Sequence, residues 1–375
     1  MVASTLVLVS PMELSAPQLQ MHVFEEQPVE IVQAESSSAA PQLEMHVFDN
    51  SVALQNNAVV AEQYTQPKEE KSEKVALSYV KAESYIKTGY RRDDLDWSIA
   101  APDGHPNVLS ELKWRDVEMA TISTGTTLIF ESNWLLNLDL LYGRIYNGDN
   151  QDSDYRGDNR TLEFSRSNNS GDEGSVLDVS VSTGYSWTVP FNPKSTYPNI
   201  EIRPQVGLSY YSQNFKITDG NQTLSTPAPE FGIDEASPLG PFPGANTTYD
   251  STWFGPWVGL KSKLQFSESF TLAWNLEYHY ANYDSTANWN LRGDLAHPES
   301  FTNEADGYGL IGDIGGELRL KQNLSLNLEV RYQDWQADSH GKQTVFLSDG
   351  SSVNQPFNGV YWKSFGANIG LVYVF

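Results

Sequence analysis

The chain has no cysteine. Disulfides, thiolate metal sites and a cysteine nucleophile are excluded together, and the chain is compatible with an oxidising envelope. It has no apolar run of the roughly 18 residues that a membrane-crossing helix requires. It has no basic stripe either. Its 24 lysines and arginines face 48 aspartates and glutamates, a formal charge of −24, which excludes nucleic acid as a partner. No cofactor motif is present. What the chain does have is aromatic residues, 12% of the total. Many aromatics in an otherwise polar chain point to alternating strands rather than to one large dry core.

Residues 1–74 differ from the rest. They hold no tryptophan and 11 acidic against 3 basic residues. The opening "MVASTLVLVSPMELSA" has the small residues of a secretory cleavage site but no basic n-region, so a true signal peptide and a different start both stay open. The segment repeats itself, "APQLQMHVF" at 16–24 and "APQLEMHVF" at 40–48. Two copies are too few for a solenoid. The segment reads as a disordered acidic periplasmic tail, or as two docking motifs that add as strands to an unknown periplasmic partner. One histidine per copy, His22 and His46, is too few for a metal site.

From about residue 75 to 375 the period becomes two. "LDVSVSTGYSW" (177–187) places Leu177, Val179, Val181 and Tyr185 on one face and Asp178, Ser180 and Ser182 on the other. "TLAWNLEYHY" (271–280) and "LSLNLEVRY" (324–332) alternate in the same way. Strict alternation means strands with one apolar and one polar face. Ten such segments are expected: 76–97, 108–129, 134–149, 174–191, 199–217, 250–266, 270–288, 304–320, 324–342 and 358–375. Short links ("ESN", "SES", "KQN") alternate with long polar ones at 98–107, 150–173, 218–249, 289–303 and 343–357. That is the pattern of an all-β, ten-stranded antiparallel up-and-down transmembrane barrel, with short turns in the periplasm and long loops outside. Charged residues sit mid-strand on the polar face: Glu277, Asp313, Glu317, Glu329 and Arg331, with His279 beside Glu277. They suit a wet lumen, a plug or a narrow pore.

"NGDNQDSDYRGDN" (147–159) falls in the second outer loop and carries Asp152 and Asp154 one residue apart. "NLRGDLAHPES" in the fourth carries Asp294 and His297, across the barrel mouth. Two close carboxylates cannot both ionise freely, and a histidine near pH 7 is a natural base. The same aspartates also suit a solvated rim or a hard cation, although no EF-hand spacing is present. Asp149, Asp152, Asp154, Asp158, Asp172 and Glu173 together make an acidic mouth that favours cationic substrates.

The strand count, the Asp-x-Asp-aromatic motif "DSDY" and "LSELKWRDVEMATISTGT" (109–126) resemble the omptin outer-membrane proteases. "WNLR", "HPESF" and the closing "GLVYVF" resemble the Protochlamydia-type outer membrane proteins, omptin-like barrels of which some act as porins. The resemblance runs from about residue 85 to 375. It implies an aspartate pair at Asp152 and Asp154 and an Asp/His pair that polarises a water. The chain departs from the second half: omptins have Asp-x-His, whereas two residues separate Asp294 from His297, which turns them to opposite faces of an extended segment. The resemblance also implies outer-membrane lipid, lipopolysaccharide included, as a partner. It implies the barrel assembly machinery as another, through the last strand ending in Phe375. The sequence thus leads to an integral outer-membrane barrel of omptin-like fold, a surface or porin-like protein, with an omptin-type endopeptidase as the alternative.

Overall fold

The computed structural model describes residues 79–375. Both copies of the duplicated motif, His22 and His46 lie outside the described residues. Ten long antiparallel strands follow one another: β1 (Tyr79–Ile99), β2 (Ser110–Phe130), β3 (Trp134–Gly157), β4 (Thr161–Tyr185), β5 (Asn199–Ser225), β6 (Thr247–Gln265), β7 (Phe270–Asn288), β8 (Phe301–Lys321), β9 (Leu324–Phe346) and β10 (Ser352–Val374). Each pairs with its neighbours in sequence. The ring closes where β1 pairs with β10, Glu83 opposite Val374 at one end and Ile99 opposite Phe357 at the other. Two short strands, Trp187–Pro190 and Gly240–Pro241, attach to β5. No helix among the described residues is long and apolar enough to cross a membrane.

Alternation builds the outer wall. Leu136, Leu138, Leu140, Val206, Leu208, Val258, Leu276, Ile314, Leu328 and Ile369 are all exposed and face outward as an apolar belt. Exposed aromatics border it on both sides. Trp134, Trp187, Phe266 and Phe375 stand at the end with the short turns, and Tyr142, Tyr210, Tyr280, Tyr308, Tyr332 and Tyr361 toward the other. A belt with two aromatic girdles is the lipid face of an outer-membrane barrel.

The strands are far longer than the membrane needs. They run from 19 residues in β6 to 27 in β5, against roughly 9–11 for a tilted crossing. The excess stands above the belt and corrects the expected loops. The stretch 150–173 is not a loop but a tall hairpin of β3 and β4 closed by residues 158–160. Likewise 343–357 is mostly β9 and β10, and β5 climbs to Ser225. Above the lipid both faces of a strand can be polar, so the ladder continues while its apolar period disappears. The β3–β4 turn carries Asn159 at φ 57 and Arg160 at φ 63, the two left-handed residues of a hairpin turn. Only the asparagine is a usual choice there, so the turn left little signal in the sequence.

The interior has two storeys. At the level of the belt it is ionic. Above the belt it is an aromatic core in which Trp97, Trp114, Trp253, Trp335 and Trp362 are each at most 2% exposed, packed with Tyr211, Phe215, Tyr249, Tyr283 and Phe301. Trp335 and Trp362 stack 5.5 Å apart. The Trp335 ring lies over Gly309 on the adjoining strand, where a Cβ would come within 2.3 Å of it. Higher still, Ala101, Leu109, Phe164 and Ala228 form a small crown core with Phe231 and Ile233.

Candidate functional site

Asp152 and Asp154 lie on β3, not in a loop. Asp152 stands opposite Leu112 of β2 and Ser167 of β4, and Asp154 opposite Ser110 and Ser165. Leu112 belongs to the aromatic core, so the shared face of the two aspartates points inward. They are 4% and 1% exposed. A bulge decides this orientation. Below it the odd residues of β3, Leu135 to Ile145, are inside; the register shifts opposite Glu118, and beyond it the even residues are inside. The same shift breaks up the expected acidic mouth. Asp149 and Glu173 are exposed on the outer wall, where Glu173 pairs with Lys216 at 3.1 Å. Asp158 is at the tip of the hairpin, and Asp172 is half-buried.

Asp294 and His297 are both on the β7–β8 loop, but no hydrogen bond joins them. Arg292 donates to the Asp294 carboxylate through Nε at 2.8 Å and through a terminal nitrogen at 2.5 Å. Burial alone would raise the Asp294 carboxyl, but the bonds and charge of Arg292 hold it below the ordinary value. His297 Nδ1 meets Asn288 Oδ1 at 2.8 Å, and its Nε2 meets the Arg292 carbonyl at 3.1 Å. The turn at 292–297 therefore brings aspartate and histidine into one loop and gives each a different partner.

The lumen residues are brought together. His279, fully buried, meets Glu277 at 2.9 Å through Nε2 and Ser209 at 3.0 Å through Nδ1. Asn275 donates to Glu277 at 2.7 Å and to Asp313 at 2.9 Å. Arg331 lies 3.4 Å from Asp313, Lys87 pairs with Glu329 at 2.7 Å, and Lys263 with Glu317 at 3.5 Å. Two clusters were not legible in the sequence. Arg91 binds Asp93 with two bonds, 2.8 and 2.6 Å, and Asp178 with a third of 2.9 Å. Arg203 joins Glu83 to Glu201, and Lys263 reaches the same Glu83 at 3.0 Å. Strand parity places each of these inside, but only closure of the ring sets Arg203 beside Glu83, 120 positions away.

These are the features of an outer-membrane barrel whose inward side chains pair and pack with one another. The profile of the Protochlamydia outer membrane protein family matches residues 85–375. The chain belongs to that family. As a Protochlamydia-type outer membrane protein it is located in the outer membrane. Its fold is also that of the outer membrane protease OmpT from Escherichia coli, with a TM-score of 0.65 at 12% identity over 81% of this chain and 99% of that one. The translocator domain of the autotransporter NalP from Neisseria meningitidis (13% identity, 78% and 88% covered, TM-score 0.34) is a looser likeness. So is OprG from Pseudomonas aeruginosa (12%, 78% and 96%, 0.28). Comparison by sequence with curated proteins finds no match. At 12% identity the OmpT likeness speaks for the fold and leaves the chemistry to the residues.

One Asp/His pair in the crown was missed. His105 Nδ1 lies 3.0 Å from Asp158, whose carboxylate also accepts the Asn107 N–H at 2.8 Å. The backbone bond first, and His105 second, hold Asp158 below the ordinary carboxylate value. Asn107 and Asn159 exchange two further bonds of 2.7 and 3.2 Å. These contacts fasten the first outer loop to the tip of the β3–β4 hairpin.

Proposed function

We propose that this protein is a non-conducting, non-proteolytic surface barrel that meets its partner with its crown. The observation that carries the reading is the aromatic core, whose five buried tryptophans fill the ring above the belt. A pore of solute size needs a continuous lumen, and the aromatic core lies across its path. A protease mouth needs an accessible water between its acids and its base. The inward burial of Asp152 and Asp154 and the separate partners of Asp294 and His297 speak against one. The crown is well suited to contact: its own small core and the loop-to-hairpin bonds hold it in shape, and Leu162 and Leu239 are 64% and 66% exposed on it.

The endopeptidase reading, with Asp152, Asp154, Asp294 and His297 as its residues, and the porin-like reading are tested together. Refolded barrel, with lipopolysaccharide present, is offered a base-rich fluorogenic peptide library beside an Asp152→Ala/Asp154→Ala variant, and is added to a planar bilayer. The expected result is no cleavage and no conductance steps. Cleavage by the parent alone would restore the protease, and discrete steps would restore the porin. Lipopolysaccharide around the belt and assembly-machinery recognition of the last strand, with Phe375 at its end, belong to the same proposal. Deleting Phe375 is expected to slow assembly in cells without altering refolding in detergent.

A further inference from the structure

Below the aromatic core the lumen holds three cavities, of about 120, 80 and 60 Å³. They form a column with shared walls. The first and second share Glu83, Lys263 and Glu317; the second and third share Tyr85, Lys87 and Glu329. The first is lined by Glu268 and Ser269 of the β6–β7 turn and by Gln322 and Asn323 of the β8–β9 turn. It therefore lies at the periplasmic mouth. The third reaches Arg331 and Tyr211. There the column meets the core, because Tyr211 lies edge-on to Trp335 at 5.1 Å.

Three buried oxygens on this column have no hydrogen-bond donor among the described residues: Asn327 Oδ1 and Asp313 Oδ1 on the second cavity and Asp178 Oδ1 on the third. Asn327 is 4% exposed and Asp178 is 8% exposed. Buried acceptors require donors, and each cavity exceeds the roughly 10–15 Å³ that one water needs. The third cavity is lined by three carboxylates, Asp139, Asp178 and Glu329, against two cations, Lys87 and Arg331. Its surplus is negative.

We propose that the lumen is a blind shaft, open to the periplasm and shut to the outside, which takes up water and small cations as far as Asp139 and Asp178. Its closed end rests on the non-conducting reading above; its open end does not. The absence of cysteine makes the test direct, since one introduced thiol reports alone. Three variants of the full chain are refolded in micelles, with folding checked by heat-modifiable mobility: Asn327→Cys in the second cavity, Ser123→Cys in the third, and Ser251→Cys, fully buried beside Trp253 in the core. Each is reacted with methanethiosulfonate ethylammonium and with the anionic ethylsulfonate reagent.

Ser123→Cys and Asn327→Cys are expected to react at least about 10-fold faster than Ser251→Cys, which must wait for local opening. The cationic reagent should outpace the anionic one by about 10-fold. Adding Ser325→Trp, which fills the first cavity, should slow both shaft thiols by about 10-fold and leave Ser251→Cys unchanged. If the shaft thiols are as slow as Ser251→Cys, or if Ser325→Trp does not slow them, the shaft is refuted and the non-conducting reading stands. If all three thiols react equally fast, the closed end is refuted and the non-conducting reading falls with it.

Discussion

Arg91→Met should be among the most damaging single changes in the barrel. Arg91 is 3% exposed, gives two hydrogen bonds to Asp93 and one to Asp178, and lies 5.1 Å from the Trp362 ring. Its removal leaves Asp93, 1% exposed, with only the Gln213 amide at 3.4 Å as a side-chain donor among the described residues. It also takes the donor from Asp178 Oδ2. Stranding one partner of a buried pair costs about 3–5 kcal/mol, whereas replacing the whole group by neutral residues is close to neutral. Arg91→Met alone should therefore lose about 3–5 kcal/mol, and Arg91→Met/Asp93→Asn/Asp178→Asn should recover to within about 1–2 kcal/mol of the parent. The single losses should sum to well over the triple loss, because the three groups share bonds. Urea unfolding of the barrel in phospholipid vesicles, followed by tryptophan fluorescence, measures all of these. A loss below about 1 kcal/mol for Arg91→Met, or a triple variant as damaged as the single, would mean that water solvates Asp93 freely. The aromatic core would then not close the lumen.

Four further outcomes are expected. Trp335→Ala removes a ring stacked on Trp362 and should cost about 3–5 kcal/mol by the same unfolding assay; Gly309→Val, whose Cβ would stand 2.3 Å from that ring, should not reach the heat-modifiable folded form at all. Tyr249→Phe takes away a hydroxyl bonded to Tyr283 at 2.6 Å, Ser285 at 2.9 Å and Asn303 at 3.1 Å, and should cost about 1–3 kcal/mol because those groups stay buried. Asp294 is held below its ordinary value in the folded loop. Its contribution is thus complete above the unfolded value of about 4 and is lost as pH falls through the lower folded one. The side chain is one-third exposed, which limits that contribution to about 1 kcal/mol. The difference in thermal midpoint between parent and Asp294→Asn should be constant from neutral pH to about 5 and shrink below 4. A difference that grows on acidification would contradict the Arg292 pairing.

The sequence alone determined the membrane half of this protein. Leu177, Val179 and Val181 had to face lipid if Asp178, Ser180 and Ser182 faced inward, because a strand has period two and lipid tolerates only one of those faces. The same rule located ten strands, the tight turns and a last strand that reaches Phe375. It failed above the lipid, where 150–173 is ladder and not loop, since an outer face in water need not be apolar. It failed again at the β3 bulge. One added residue exchanges inside for outside along everything that follows. That is why Asp152 and Asp154 turn into the core while Asp149 turns out. Only closure of the ring could decide the partners inside it. Arg91 with Asp178 and Arg203 with Glu83 come from strands far apart in sequence, and each contact depends on the register of every strand between.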